Sequence, residues 1–185
     1  PGGINGFEYS PDMERILFTK DVKLDKTAND IHRDLPQANA RIIDDMMYRH
    51  WDSWHDYSYS HIFVGLYRDG VVEEEYWDIM SEEPYDSPMN PWGGMEQICW
   101  SPDGNKIAYT CKKLKGKDWT LSTNSEIYIY DLESENTTNI SQPNEGYDQD
   151  PVFSPDGTKL VWRSMKTPGF ESDKDRIMVY DFTTE

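Results

Sequence analysis

Three stretches decide the fold: Tyr9-Ser10-Pro11-Asp12, Trp100-Ser101-Pro102-Asp103-Gly104 and Phe153-Ser154-Pro155-Asp156-Gly157. In each, an aromatic residue precedes Ser-Pro-Asp and an apolar run follows it. Pro sets φ at the second position of a turn, Ser and Asp side chains bond nearby backbone N–H groups, and Gly accepts a positive φ. Each stretch therefore reads as two strands joined by a tight corner. The first copy carries Met13 where the others have Gly, so its corner is expected to be of a different type or strained.

Outward from the corners the copies stay aligned. A short strand follows each one: Ile16-Leu17-Phe18, Ile107-Ala108-Tyr109 and Leu160-Val161-Trp162. Strand side chains alternate, so the first and third members of each triplet share an apolar face. A third strand recurs at Ile62-Phe63-Val64, Ile127 to Asp131 and Ile177 to Asp181. A fourth is available at Val71 to Ile79 and Thr137 to Ser141. The repeating unit is a four-stranded antiparallel sheet. Such a sheet does not bury its faces alone and must stack on neighbours, the signature of a propeller blade. The fold class expected is all-β, a partial β-propeller of about three blades: blade one over 6–80, blade two over 95–142 and blade three over 149–185.

The corners also measure the chain. Ser101 and Ser154 lie 53 residues apart, but Ser10 and Ser101 lie 91 apart. From corner Ser to third strand the separation is 26 residues in the second copy, 23 in the third and 52 in the first. Blade one therefore holds an insertion between Val22 and Ser60. Within it, Ala38, Ile42 or Ile43, Met46 and Met47 fall at helical spacing behind Pro36, which predicts a helix over Gln37 to Tyr48. A closed propeller needs four to eight blades. The start at Pro1 and the stop at Glu185 after a third strand lead us to expect a piece of a longer protein.

The formal net charge of −17 argues against nucleic acid and against an anionic membrane surface as partners. Glu73-Glu74-Glu75 and Glu82-Glu83 read as a solvated acidic surface. No run of about 18 apolar residues is available to span a bilayer. Cys99 and Cys111 flank the second hairpin, with Cys99 opposite about residue 108. The rise per residue then leaves Cys111 roughly 10 Å away, so two free thiols are expected.

Little in the chain reads as catalytic machinery. The Ser-Pro-Asp corners are scaffold, and their spacing is not that of sialidase Asp boxes. Gly-x-Ser-x-Gly does not occur, and no Ser or Cys sits in an activating context. Gly2-Gly3 and Gly93-Gly94 read as turn glycines, not as a phosphate loop. The segment Tyr48 to Tyr57 stands apart, packing two Trp, two His, two Asp and an Arg into a stretch with no clean period. As a metal site, His50, Asp52, His55 and Asp56 are poorly spaced for one helical face. As a substrate wall, Trp faces take apolar side chains while Asp and Arg take charged termini. As plain structure, the Trp residues anchor the excursion and Arg and Asp satisfy each other.

Taken in order, the Ser-Pro-Asp-Gly corners, Met47-Tyr-Arg-His-Trp-Asp-Ser-Trp54, Ser60-His-Ile-Phe-Val-Gly-Leu66 and Pro168 to Asp181 resemble the N-terminal propeller of the prolyl oligopeptidase family. The nearest branch is that of acylaminoacyl peptidases and dipeptidyl peptidase V type enzymes. The resemblance covers nearly the whole chain. It implies a serine exopeptidase acting on short peptides, whose Ser, Asp and His lie on a C-terminal α/β-hydrolase domain outside this sequence. The propeller's implied task is to cover the active site and filter substrates by size. No catalytic residue, metal or cofactor is assigned here. The excursion residues Arg49, His50, Trp51, Asp52 and Trp54 are expected to bound the substrate cavity, with Asp52 suited to an amine. The competing reading is a stand-alone or Tol-type propeller that binds protein. A glycan-active propeller ranks last, because no carboxylate pair facing one cavity is readable from sequence.

Overall fold

The structure, a computed structural model, describes residues 3–184; Pro1, Gly2 and Glu185, used above as chain ends and in the Gly2-Gly3 turn, lie outside the described residues. The chain is all-β, and its strands run antiparallel in successive sheets. Sheet one joins β1 (Ile4–Tyr9), β2 (Arg15–Lys23), β5 (Ser58–Arg68) and β6 (Val71–Asp78) in that spatial order. Between β2 and β5 lie a single helical turn α1 (Ala28–Ile31) and a small hairpin of β3 (Arg49–His50) and β4 (Ser53–Trp54). Sheet two has the order β10 (Thr137–Asn139), β9 (Glu126–Asp131), β8 (Lys106–Cys111), β7 (Ile98–Trp100), with a short helix α2 (Gly116–Leu121) between β8 and β9. Sheet three holds β11 (Asp148–Phe153), β12 (Lys159–Ser164) and β13 (Arg176–Asp181). Among the described residues it has three strands, one short of the four-stranded unit of the other two sheets.

The corners share one geometry. In the second, Ser101 Oγ donates to Asp103 Oδ1 at 2.6 Å and accepts from Lys106 N at 2.8 Å, while Gly104 N donates to Ser101 O at 2.9 Å. The third copy repeats this with Ser154, Asp156, Lys159 and Gly157. The first repeats it with Ser10, Asp12, Arg15 and Met13. Gly104 and Gly157 both sit at φ 71°, and Met13 takes the same left-handed place at φ 60°. Of the two expectations for corner one, strain holds and a different turn type does not. Each corner is also tied to the end of its third strand: Tyr67 N donates to Glu14 O, Leu132 N to Asn105 O and Phe182 N to Thr158 O.

The strand triplets place the core. Ile107 and Tyr109 turn toward sheet one and pack with Leu17, Ile62 and Val64. Ala108 turns the other way and packs, with Ile127 and Ile129, against Leu160 and Trp162 of sheet three. Sheet two is thus buried on both faces by its neighbours. Cys99 pairs with Ala108 across the ladder, and both cysteines are free thiols. Burial pushes the Cys99 thiol up to about 12 and raises that of Cys111 further, so both stay protonated at neutral pH.

The expected helix over Gln37 to Tyr48 is not formed. That stretch is irregular, and Ile42, Ile43 and Met46 lie exposed. A helix of about 12 residues is marginal alone and needs its apolar stripe buried, yet no sheet face is presented to this one. Arg41 instead donates to His55 O at 2.8 Å and lies over the Trp54 and Tyr57 rings, fastening the segment through a side chain. The helix that does form is α1, held by a capping box in which Thr27 and Asp30 bond each other's backbone N–H. The excursion runs from Leu24 to Tyr57, because β2 and β5 stay paired out to Lys23 and Ser58.

Candidate functional site

The five residues singled out in the excursion sit together on its hairpin. Arg49 pairs with Trp54 and His50 with Ser53, leaving Trp51 and Asp52 at the turn. Trp51 adopts φ 48° and is 67% exposed. The Arg49 guanidinium lies 6.0 Å from the Trp54 ring centroid, and Tyr48 packs on the same indole. Among the described residues Asp52 meets only the Ser53 hydroxyl, at 3.4 Å, so its carboxylate is open to a ligand. Among the described residues no ion pair joins Arg49 to Asp52. Neither indole is a core anchor.

Anchoring falls to residues that sequence reasoning passed over. Asp25, just past the end of β2, accepts from Tyr59 OH at 2.6 Å and lies 3.0 Å from His55 Nε2, which pins the hairpin's base to the sheet. Leu24 N and Asp25 N both donate to Tyr57 O, closing the neck of the excursion. Burial and the Asp25 contact raise the Tyr59 phenol well above its ordinary value.

Beneath this base lies a second polar layer. His61 is fully buried, with Nδ1 2.7 Å from Asp78 Oδ2 and Nε2 2.8 Å from Glu83 O. Both ring nitrogens face acceptors, so the imidazolium fits and the neutral ring leaves one acceptor unpaired. Burial is the largest influence and pulls its pKa down; the Asp78 bond and charge, with Glu83 O, outweigh it and hold the value above 6.5. Nearby, half-buried Asp86 accepts from Ser60 N at 2.8 Å and Asn90 Nδ2 at 3.0 Å. Burial pushes its carboxyl up to about 6 against those bonds.

Trp92 was also missed. It is 74% exposed on the loop before sheet two and meets Trp51 edge-on, with ring centroids 5.2 Å apart. Its signal in the sequence was an indole between Pro91 and Gly93, where a turn leaves no core for it to fill.

This hairpin-bearing sheet stack has known counterparts. A dipeptidyl-peptidase 5 of Porphyromonas gingivalis is 50% identical over 183 residues, or 99% of this chain. Nearly every residue of this chain aligns with part of that dipeptidyl-peptidase 5. Dipeptidyl-peptidase 5 of Porphyromonas endodontalis is 40% identical over 97% of the chain, and that of Schizosaccharomyces pombe is 28% identical over 78%. The chain spans about a quarter of the length of these curated relatives, 26%, 26% and 22%. No family model matches it. Among solved structures, Pyrococcus horikoshii acylaminoacyl peptidase aligns with a TM-score of 0.56 at 14% identity, covering 96% of this chain and 24% of its own. TolB from Acinetobacter baumannii aligns at 0.51 and 17% identity, covering 98% and 30%. These two likenesses carry the fold and fit a propeller. The recognition drawn from the motifs, a propeller segment of the acylaminoacyl and dipeptidyl peptidase branch of the prolyl oligopeptidase family, stands for this dipeptidyl-peptidase 5 relative.

Proposed function

We propose that the three sheets are successive blades of a propeller that gates substrates for a serine exopeptidase of the dipeptidyl-peptidase 5 type. In this reading the catalytic Ser, Asp and His lie on an α/β-hydrolase domain elsewhere in the parent protein, and this chain alone is inert. The observation that carries it is the 50% identity to a dipeptidyl-peptidase over nearly every residue of the chain. The stacking supports it: in sheets two and three the first and third triplet residues turn toward the preceding sheet, as repetition around an axis requires.

The 49–54 hairpin is the part suited to substrate. It projects from the sheet, exposes Trp51 and Trp54, and offers Asp52 as an unengaged carboxylate for an amine or N–H donor. Arg49, His50, Trp51, Asp52 and Trp54 together wall the cavity through which short peptides pass. In the parent protein, Asp52→Ala should raise KM for dipeptide substrates about 5- to 10-fold while leaving the melting temperature unchanged, the size expected for one charge-assisted hydrogen bond. Unaltered kinetics would remove the hairpin from the substrate path. A protein-binding propeller is the second reading, kept because the fold of TolB covers the chain equally well. Lack of any peptidase activity in the parent would favour it.

A further inference from the structure

Sheet one changes character along its length. On the face turned to sheet two, β2 runs Leu17, Thr19, Asp21 while β5 runs Val64, Ile62, Ser60, Ser58 in register beside it. The apolar half joins the core. The polar half faces the loop from Pro88 to Met95, and the two enclose a cleft of about 360 Å³ whose lining includes Thr19, Asp21, Asp56, Ser60 and Asn90. That volume falls in the ~300–1,000 Å³ range of small-ligand sites.

Several observations separate this cleft from an ordinary solvated crevice. Thr19 and Ser60 are 1% and 6% exposed and line it, yet neither hydroxyl has a partner among the described residues. Both residues line the cleft, so their hydroxyls are offered to a ligand or to water there. Asp21 and Asp56 each spend one oxygen internally, accepting from Asn5 Nδ2 at 2.9 Å and from Ser58 N at 3.0 Å. Among the described residues their remaining oxygens have no partner and no Lys or Arg lines the cleft. The site is therefore rich in acceptors and calls for N–H donors. Asp86 fixes its width, because its bonds to Ser60 N and Asn90 Nδ2 tie one wall to the other. Trp92 lies in the chain between the lining residues Asn90 and Gly93, and its ring meets that of Trp51 at 5.2 Å.

We propose that the cleft and the Trp51–Trp92 pair form a binding site for an extended peptide, with Asp21 and Asp56 accepting main-chain N–H groups and the two indoles taking an apolar side chain. Trp92 sets the preference for that side chain. Acidic side chains are rejected by the carboxylates and by the chain's negative charge. The assignment rests on the reading of this chain as a peptide-handling propeller and adds a second wall, from a different loop, to the hairpin.

The test is calorimetric titration of this 185-residue chain with three N-acetylated dipeptide amides, Leu-Ala, Gly-Ala and Glu-Ala. The leucyl probe should bind about 10-fold more tightly than the glycyl one, the size expected for burying one aliphatic side chain, and the glutamyl probe more weakly than either. Trp92→Ala should abolish the leucyl preference and Trp92→Phe retain part of it, with unchanged circular dichroism in both. Equal affinity for the leucyl and glycyl probes, no binding of any probe, or a preference that survives Trp92→Ala would overturn the assignment. Failure here is distinguishable from failure of the proposed function. Discrimination by the chain with no peptidase activity in the parent removes the enzyme reading alone; peptidase activity without discrimination removes the cleft alone.

Discussion

His61 shows how one side chain fixes a local structure. Fully buried and bonded at both nitrogens, it joins β5 to Asp78 at the end of β6 and to the Glu83 carbonyl beyond it. Asp78, Glu83 and Asp86 are the acidic groups around it, and its pKa is held above 6.5 in the folded chain. A raised folded value means that the charged ring contributes its full stability below the unfolded pKa and loses it as pH rises through the folded one. Chemical denaturation should accordingly show stability falling above pH ~6.5 in the native chain. In His61→Gln that fall should disappear, and the variant should be about 3 kcal/mol less stable at pH 6, since Asp78 loses its buried partner. A pH slope unchanged in the variant would mean that His61 is neutral in the fold.

At the scale of elements, the corner and the excursion make opposite cases. The corner was readable because its work is local: Ser, Pro and Asp satisfy the turn from within five or six residues, and three copies give one geometry. Met13 is the exception that tests it. A non-glycine residue at φ 60° carries about 1–2 kcal/mol of strain. Met13→Gly should relieve it and raise stability by about 1 kcal/mol, seen as a higher urea midpoint at constant m value. The excursion departs from its helical spacing because no surface receives its apolar stripe. The Ile42, Ile43 and Met46 stripe has helical spacing, but helical spacing builds a helix only where something buries the stripe. Arg41 binding His55 O decided the path instead, through a contact 14 residues away in sequence.

At the scale of the whole molecule, the stacking order of the described residues leaves two sheet faces without a partner sheet. On sheet one this is the side of Phe18, Phe63 and Tyr76, which close over one another with Lys20 above Phe63 and Tyr76. On sheet three it is the side of Val152, Val161 and Val179, where Val152 and Val179 are exposed together with Ile177 beside Arg163. Exposed β-branched residues on a terminal sheet invite association with other chains. Sedimentation velocity should show concentration-dependent self-association of this chain. The pair Ile177→Lys and Val179→Lys should reduce it without lowering the melting temperature, because neither side chain is in the core. Association unchanged by both substitutions would place the sticky surface elsewhere.

The sequence by itself determined the repeating sheet, its corners, the long excursion between the second and third strands of the first sheet, the free thiols and the likeness to peptidase propellers. Each of these rests on local chemistry or on period-two alternation, which operate over a few residues and are written in order along the chain. It also brought Arg49, His50, Trp51, Asp52 and Trp54 to attention, since so many aromatic and charged groups in one aperiodic stretch have no core to fill. Only the tertiary structure decided what surrounds them. Trp92 meets Trp51 from 41 residues away, Asp25 holds His55 and Tyr59 from about 30, and the cleft arises where the polar end of β2 and β5 faces a loop leading to another sheet. Such contacts depend on how sheets stack and where loops land, and no pattern along the chain encodes that distance.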